Sequence, residues 1–161
     1  MRNLFHNALY AMLILGLVSA CSQSRSNNSG SDSGSAEKAS FTMYKNEGCM
    51  CCAEWASYME SKGYEVTEQP IDNLAAFKFT NKVPNDMSSC HTSIINGYVV
   101  EGHVPAEDIE RLLEEQPDAK GIAVPGMPIG SPGMENPNRP DDAYDVMIFK
   151  EDGSRKVYAS H

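Results

Sequence analysis

The fold is decided by residues 41–63, FTMYKNEGCMCCAEWASYMESKG. The first five are rich in aromatic and β-branched side chains and predict a strand, and Asn46-Glu47-Gly48 then predicts a turn. Beyond the turn, four side chains recur at the spacing of one buried helix face: Cys52, Trp55, Ala56 and Met59. Gly63 is expected to end this helix. The stretch therefore predicts a strand and a helix joined by a cysteine-rich turn.

The following segments continue the alternation of strands and helices. Residues 64–68 predict a second strand, and Asp72 is placed to cap a second helix. Asn96-Gly97 between two strand-like runs predicts a two-residue hairpin. A third helix is expected from Pro105 to a point before Pro117. This order, βαβα and then ββα, is that of the thioredoxin fold, and the fold class is α/β (α+β).

The C-terminal part adds a loop and a second hairpin to that core. Residues 121–140 are rich in glycine and proline and predict a loop. Residues 144–149 and 156–159 predict two strands separated by a turn at Asp152-Gly153. We therefore expect residues 41–161 to form one thioredoxin-like domain.

The N-terminus predicts export. Residues 1–20 combine a cationic start with an apolar run that is too short to span a bilayer comfortably. Residues 18–21, Val-Ser-Ala-Cys, resemble the lipobox of bacterial lipoproteins, which implies cleavage before Cys21 and acylation of that residue. An ordinary secreted protein cut near Ala20 is the alternative. Residues 21–40 are rich in Ser, Asn and Gly and predict a flexible tether. Attachment to the periplasmic face of the outer membrane is then expected, since Ser22 offers no obvious retention signal for the inner membrane.

Charge and cysteine count limit the functional class. The net charge of −9 argues against nucleic-acid binding, because a phosphate backbone selects for a basic face. Five cysteines would leave one unpaired in a simple disulfide framework. With Cys21 assigned to a lipid, four thiols remain, and three of them lie between Cys49 and Cys52.

The cysteine turn fits two kinds of chemistry. Cys49 and Cys52 have the C-x-x-C spacing of a redox pair at a helix start, where the helix dipole favours the thiolate. Disulfide exchange and metal binding both need that thiolate. A third thiol, Cys51, would compete for a mixed disulfide but would serve as another soft ligand for Cu(I) or Zn(II), with sulfur favouring Cu(I). The alternative for Cys52 alone is a small buried apolar residue.

Further candidate ligands lie elsewhere in the chain. Cys90 and His91 precede the third strand, where thioredoxin-like proteins carry a cis-proline facing the cysteine turn, so a site with Cys49, Cys51 and Cys52 is plausible. His103 follows the first hairpin and is a weaker candidate, a surface or packing role being the alternative. Met127 and Met134, in the Gly/Pro-rich loop, either fill gaps or present thioethers to a metal.

Four ordered motifs resemble a known family, the CopG-type metal-binding proteins of bacterial copper-resistance clusters. They are GCMCCAEW (48–55), SCHT (89–92), GYVVEGHVP (97–105) and GIAVPGMP (121–128). The resemblance implies a periplasmic thioredoxin-like domain that binds copper through its Cys-x-Cys-Cys motif and has a copper redox role. Residue by residue, it supports Cys49, Cys51 and Cys52 most directly and Cys90 with His91 next. His103, Met127 and Met134 lie in or beside matching motifs without an implied role.

Three functions therefore stay open at this point. The leading hypothesis is a periplasmic, lipid-anchored protein of copper resistance that binds Cu(I) and exchanges copper with other resistance proteins. This hypothesis includes cycling of the copper between oxidation states. The second is a thiol-disulfide oxidoreductase with Cys49 and Cys52 as its catalytic pair. The third is a non-catalytic module that binds zinc.

Overall fold

A single mixed sheet of seven strands, with three α-helices, makes up the part of the chain that the computed structural model describes, residues 39–161. The elements in chain order are β1 Ser40–Lys45, α1 Met50–Ser61, β2 Glu65–Pro70, α2 Leu74–Thr80, a 3₁₀ turn Asn85–Met87, β3 His91–Ile95, β4 Tyr98–Glu101, α3 Ala106–Glu115, β5 Gly121–Ala123, β6 Asp145–Phe149 and β7 Arg155–Ser160. The predicted signal peptide, most of the predicted tether, and Cys21 lie outside these residues. Within residues 39–161, no helix is long and apolar enough to cross a membrane.

The sheet brings two distant parts of the chain together. Its strand order is β2-β1-β3-β4-β5-β6-β7, with β1–β2 and β4–β5 parallel and the other pairs antiparallel. β1 pairs with β3 so that Lys45, its last residue, is opposite His91, the first residue of β3. The turn after β1 and the residues before β3 therefore lie at the same end of the sheet. The predicted α/β class, and the order βαβα then ββα, are confirmed.

Helix α1 buries the predicted face. Cys52, Trp55 and Met59 are fully buried and Ala56 nearly so. The Trp55 indole N–H donates to the carbonyl of Val104 at 3.0 Å, which satisfies the one polar atom of this large side chain. Gly63 follows the helix with a φ of 91°, a backbone conformation that favours glycine.

The start of helix α2 differs from the prediction. Asn73, and not Asp72, is the N-cap, and its side-chain oxygen accepts from the backbone N–H of Ala76 at 2.9 Å. A cap must directly precede the first helical residue, Leu74, to reach that N–H group. Asp72 lies one position too early.

The first hairpin and helix α3 have the predicted form. Asn96 and Gly97 both have positive φ, 47° and 86°, which is the two-residue turn that this pair favours. Helix α3 follows Pro105 and ends with Gln116 in the left-handed region, directly before Pro117. Helix α3 thus connects β4 to the next strand of the same sheet.

Strand β5 is a strand that the sequence did not predict. Residues 121–123 were expected to belong to the Gly/Pro-rich loop, but they pair in parallel with β4 and antiparallel with β6. A strand of three residues that begins with glycine is too short to show a hydrophobic period. Its consequence is large, since β5 joins the predicted C-terminal hairpin, β6 and β7, to the core sheet.

Alternating residues of the central strands supply two apolar clusters. Val100, Ile122 and Ile148 belong to the main core with Trp55, whereas their chain neighbours belong to a second cluster. The second cluster contains Val83, Met87, Val99, Ala123 and Phe149. Because successive strand residues point to opposite faces, both faces of the sheet are buried at its centre.

We expect Gly121→Ala to destabilise the protein strongly. A Cβ at this position would overlap the backbone carbonyl of Val99, and neither strand can move without breaking the β4–β5 pairing. The free energy of unfolding, measured by urea denaturation, should fall by about 2–3 kcal/mol. Gly153→Asn is the control, because Gly153 has a φ of 82° in open space and Asn tolerates that conformation. Equal stability of the Gly121 variant and the parent would contradict this account of β5.

Candidate metal centre

The cysteine motif forms the start of helix α1. Gly48 has a φ of 71° and turns the chain, Cys49 is the N-cap, and Cys51 and Cys52 lie in the first helical turn. Cys52 is buried, whereas Cys49 and Cys51 are partly exposed. This placement directs three sulfur atoms to one end of the helix, where backbone N–H groups favour negative charge.

Two of these sulfur atoms are joined in the structure. Cys49 and Cys52 form a disulfide bond, while Cys51 and Cys90 are free thiols. Metals are bound by thiolates, so Cys49 and Cys52 must be reduced before they can act as ligands. The same four residues thus define an oxidised arrangement, which the structure shows, and a reduced one with up to four thiolates.

Cys90 lies directly against the cysteine turn. Its Sγ is 3.8 Å from Sγ of Cys51, which in turn is 3.6 Å from Sγ of Cys49. The Sγ of Cys52 approaches the Cys90 carbonyl at 3.8 Å. All four sulfur atoms lie within 4.8 Å of one another, close enough to surround a single metal centre.

Two histidines extend the cluster on the other side of Cys90. Nε2 of His103 is 2.9 Å from the Cys90 sulfur, and Nδ1 of His91 is 3.3 Å from it. These three ligand atoms also lie within 4.8 Å of one another. Cys90 therefore belongs to both groups and connects the thiols to the imidazoles. Both rings are fully buried, so the surface alternative for His103 is wrong.

The surroundings orient each imidazole. Nδ1 of His103 lies 2.8 Å from the carbonyl of Pro132, which can only accept, so this nitrogen carries the proton and Nε2 presents a lone pair to Cys90. The ring of His91 packs between Trp55, with centroids 4.5 Å apart, and His103, at 5.1 Å. Its buried Nε2 has no hydrogen-bond partner. This nitrogen is therefore available to gain a partner, whereas Nδ1 of the same ring faces the Cys90 sulfur.

Burial keeps these groups uncharged. It raises the pKa of the Cys90 thiol to about 12, with the neighbouring Cys51 adding to the effect. It also lowers the pKa of His103, and that of His91 well below its ordinary value. At neutral pH the centre therefore holds a protonated thiol and neutral imidazoles, and a bound metal would displace the thiol proton.

A cleft of about 480 Å³ gives access to the cluster. Cys49 and Cys90 lie in its wall, together with residues of α2 and of the segment before β3. The remaining cluster members, Cys51, Cys52, His91 and His103, do not line it. A small ligand in this cleft would meet Cys49 and Cys90 first.

The Gly/Pro-rich loop packs beside the centre. Gly133 is so close to helix α1 that a Cβ there would lie 2.6 Å from the backbone nitrogen of Trp55, and Pro132 contacts His103 as described. Met127 is 53% exposed and Met134 is partly buried. Metal ligation by these two methionines stays a prediction, as does ligation by the cysteines and histidines.

A charged pair that the sequence did not predict lies next to the centre. Glu101 is fully buried at the end of β4, and Lys78 of α2, only 8% exposed, donates to its carboxylate. Burial raises the pKa of Glu101 although Lys78 opposes the shift. The available signal was a glutamate ending an apolar run in the strand Tyr98–Glu101, and a lysine between two phenylalanines in α2.

Together, the mixed sheet and the buried Cys/His cluster define the class of protein: an α/β domain with a candidate site for a thiophilic metal. A family described as a protein of unknown function, DUF411, matches residues 87–134. Among curated proteins, none matches the chain significantly.

Two solved structures resemble the whole described domain. "Copper resistance protein copG- Form 1" is 42% identical, with a TM-score of 0.72, over 78% of this chain and 98% of that chain. "Copper resistance protein copG- Form 2" is 43% identical, with a TM-score of 0.72, over 76% and 97%. The chain therefore belongs to the CopG family of copper resistance proteins, which confirms the resemblance stated from its motifs.

The raised pKa of Cys90 predicts slow alkylation. In native, metal-free protein at pH 8, Cys90 should react with iodoacetamide at least about a hundredfold more slowly than in urea, because only the thiolate reacts. As the pH rises from 8 to 10, the native rate should climb steadily, whereas the rate in urea should level off above the ordinary thiol pKa. Mass spectrometry of the Cys90 peptide measures both rates. Equal rates in the two states would contradict the raised pKa.

Proposed function

We propose that this protein binds Cu(I) at the Cys/His centre and serves copper resistance. One observation carries the proposal: four cysteine sulfur atoms lie within 4.8 Å of one another, and one of them, Cys90, is also within 3.3 Å of two buried imidazoles. The proposed ligands are Cys49, Cys51, Cys52, Cys90 and His91, with His103, Met127 and Met134 as further candidates. Membership of a copper-resistance family supports the same cargo.

The donor set favours Cu(I) over zinc. Structural zinc sites take four sulfur or nitrogen ligands in a closed tetrahedron. Here four sulfurs form one group and two imidazoles form a second group with one of those sulfurs, that of Cys90, which gives more donors than one tetrahedral ion needs, and soft thiolates prefer Cu(I). Zinc is the alternative cargo, so the affinity for Zn(II) is compared with that for Cu(I).

The disulfide supports a redox extension of this function. Oxidation of the Cys49 and Cys52 thiols to a disulfide releases two electrons and two protons, enough to reduce two Cu(II) ions to Cu(I). The oxidised product of that reaction is the disulfide found in the structure. Copper would thus be held tightly by the dithiol and released from half of its sulfur ligands by the disulfide.

The same disulfide favours a second candidate function, thiol-disulfide exchange with another protein. Cys49 and Cys52 would be its catalytic pair. Cys51 argues against efficient exchange, because its sulfur is only 3.6 Å from Cys49 and can attack a mixed disulfide at that residue. We therefore rank this candidate below copper binding.

A Cu(I) titration tests the proposal. Reduced, metal-free protein should bind Cu(I) in anaerobic competition with a chelator, and Cys51→Ser should weaken the affinity beyond about a hundredfold, more than the loss typical of residues outside the ligand set. Cys21→Ser is the matched control, since it also replaces a cysteine by serine, but outside the proposed ligand set, and should leave the affinity unchanged.

Three results would contradict the proposal or favour one of its alternatives. Micromolar or weaker Cu(I) binding that Cys51→Ser leaves unchanged would contradict it. Tighter binding of Zn(II) than of Cu(I) would favour the zinc module. Rapid reduction of a protein disulfide by the metal-free dithiol form, lost in Cys49→Ser, would favour the oxidoreductase.

We further propose that the protein is a lipid-anchored protein of the periplasm. The lipobox-like residues 18–21 support acylation at Cys21, and two or more acyl chains suffice for stable attachment. The outer membrane is the proposed location, where copper ions and other copper-resistance proteins of the periplasm would be its partners.

Cys21→Ser should release the protein from the membrane. In cell fractionation of a Gram-negative host, the parent chain should sediment with membranes and the variant should appear in a soluble fraction or as uncleaved precursor. Cys90→Ser is the matched control and should fractionate like the parent, because it changes a cysteine of the folded domain only. Parent protein found in the soluble fraction would contradict lipid anchoring.

A further inference from the structure

The buried carboxylate of Glu101 brackets the Cys90-His91 pair. One oxygen, Oε1, accepts from the backbone N–H of Ser89 at 2.6 Å, and the other, Oε2, accepts from the hydroxyl of Thr92 at 2.6 Å. Ser89 directly precedes Cys90, and Thr92 directly follows His91. A single side chain from β4 thus holds both neighbours of the two candidate ligands.

Lys78 completes this network from another element. Its Nζ donates to the Thr92 hydroxyl at 2.9 Å and to Glu101. Both charged side chains are buried, and each is the other's counter-ion. The network therefore joins α2, β3 and β4 at the place where the sulfur cluster meets the histidines.

The same strand end positions His103. The backbone N–H of Gly102 donates to the carbonyl of His91 at 3.0 Å. Gly102 has a φ of 73°, and a Cβ there would lie 2.8 Å from the carbonyl of Val124, so the chain between Glu101 and His103 has little freedom. The carboxylate is thus linked through short, hydrogen-bonded chain segments to Cys90, His91 and His103.

We propose that Glu101 is a positioning residue of the metal centre, with Thr92 and Lys78 as the partners that hold its carboxylate. This inference rests on the proposed function, because it assigns residues outside the ligand set to the same site. A purely stabilising ion pair is the competing explanation. It is the weaker one, since buried ion pairs often contribute little net stability compared with apolar residues of similar size.

Thr92 offers the mildest test. In the full chain, Thr92→Val removes the hydroxyl but keeps the shape of the side chain, whereas Thr92→Ser keeps the hydroxyl. Loss of a residue that orients metal ligands typically lowers metal affinity by about 10- to 100-fold. We expect Thr92→Val to lower Cu(I) affinity by about tenfold and to alter the near-ultraviolet sulfur-to-copper absorption. Thr92→Ser should restore both to within about threefold of the parent.

A double variant separates positioning from stability. Lys78→Met with Glu101→Leu replaces the ion pair by apolar side chains, a change that is often neutral or stabilising. It should nevertheless lower Cu(I) affinity by about 10- to 100-fold, because the Cys90-His91 segment is no longer held. Ile148→Ala in β6, two strands from β4, is the control: it removes core contacts without touching the hydrogen-bond network, and should reduce stability without changing the affinity or the spectrum.

The results distinguish this inference from the proposed function. If the parent binds Cu(I) and both Thr92→Val and the double variant match it in affinity and spectrum, the positioning role is overturned and copper binding stands. The role is likewise overturned if Thr92→Val and the double variant, at the same loss of stability, lose no more Cu(I) affinity than Ile148→Ala does.

Metal-free protein supplies a readout that needs no copper. The alkylation rate of Cys90 should rise at least about fivefold in the double variant, and not in Ile148→Ala, because release of the segment exposes the thiol. If the parent binds no Cu(I) but this rise occurs, the proposed function fails and the positioning of Cys90 stands. An unchanged rate in that case would overturn the positioning role as well.

Discussion

The pairing of β1 with β3 is the constraint on which the rest of the structure depends. It sets Lys45 opposite His91, so that the chain leaving β1 and the chain entering β3 meet at one end of the sheet. Cys90 is thereby held against the cysteine turn, with its sulfur 3.8 Å from that of Cys51. Trp55 secures helix α1 over this junction through its burial and its bond to Val104. A slip of one residue in this register would turn His91 to the other face of the sheet and separate the two halves of the site.

Burial sets the protonation states of the site and also creates a need for hydrogen-bond partners. Burial of His91 and His103 and partial burial of Cys90 keep the imidazoles neutral and the thiol protonated, so a metal that bound there would displace the thiol proton. The same burial leaves polar groups beside Cys90 and His91 that need partners. Glu101 accepts from the backbone N–H of Ser89 and from the hydroxyl of Thr92, and Lys78 donates to that hydroxyl, which explains why two charges lie deep in a domain of this size. Within the same cluster, Cys49 and Cys52 are joined by a disulfide bond.

Much of the fold could be predicted because the deciding signals are local. The helical spacing of Cys52, Trp55 and Met59, the Asn96-Gly97 turn, and Pro105 at a helix start each act within a few residues, and the structure confirms them. The features that were not predicted depend instead on contacts between distant parts of the chain. β5 has too few residues for a period and exists because β4 and β6 pair with it. Glu101 and Lys78 are 23 residues apart, and no local pattern marks them as partners.

The sequence by itself determined the composition of the site: a Cys-x-Cys-Cys motif at a helix start, a Cys-His pair before a strand, and a second histidine after a hairpin. These follow from residue types and short-range spacing. Only the tertiary structure decided that Cys90 is shared between the sulfur and imidazole groups, that His103 is buried with its Nε2 toward that sulfur, and that Glu101 brackets the ligand pair. The physical reason is that strand pairing and burial bring together groups 12 to 39 residues apart, and distance, protonation and hydrogen-bond direction arise only once they are in contact.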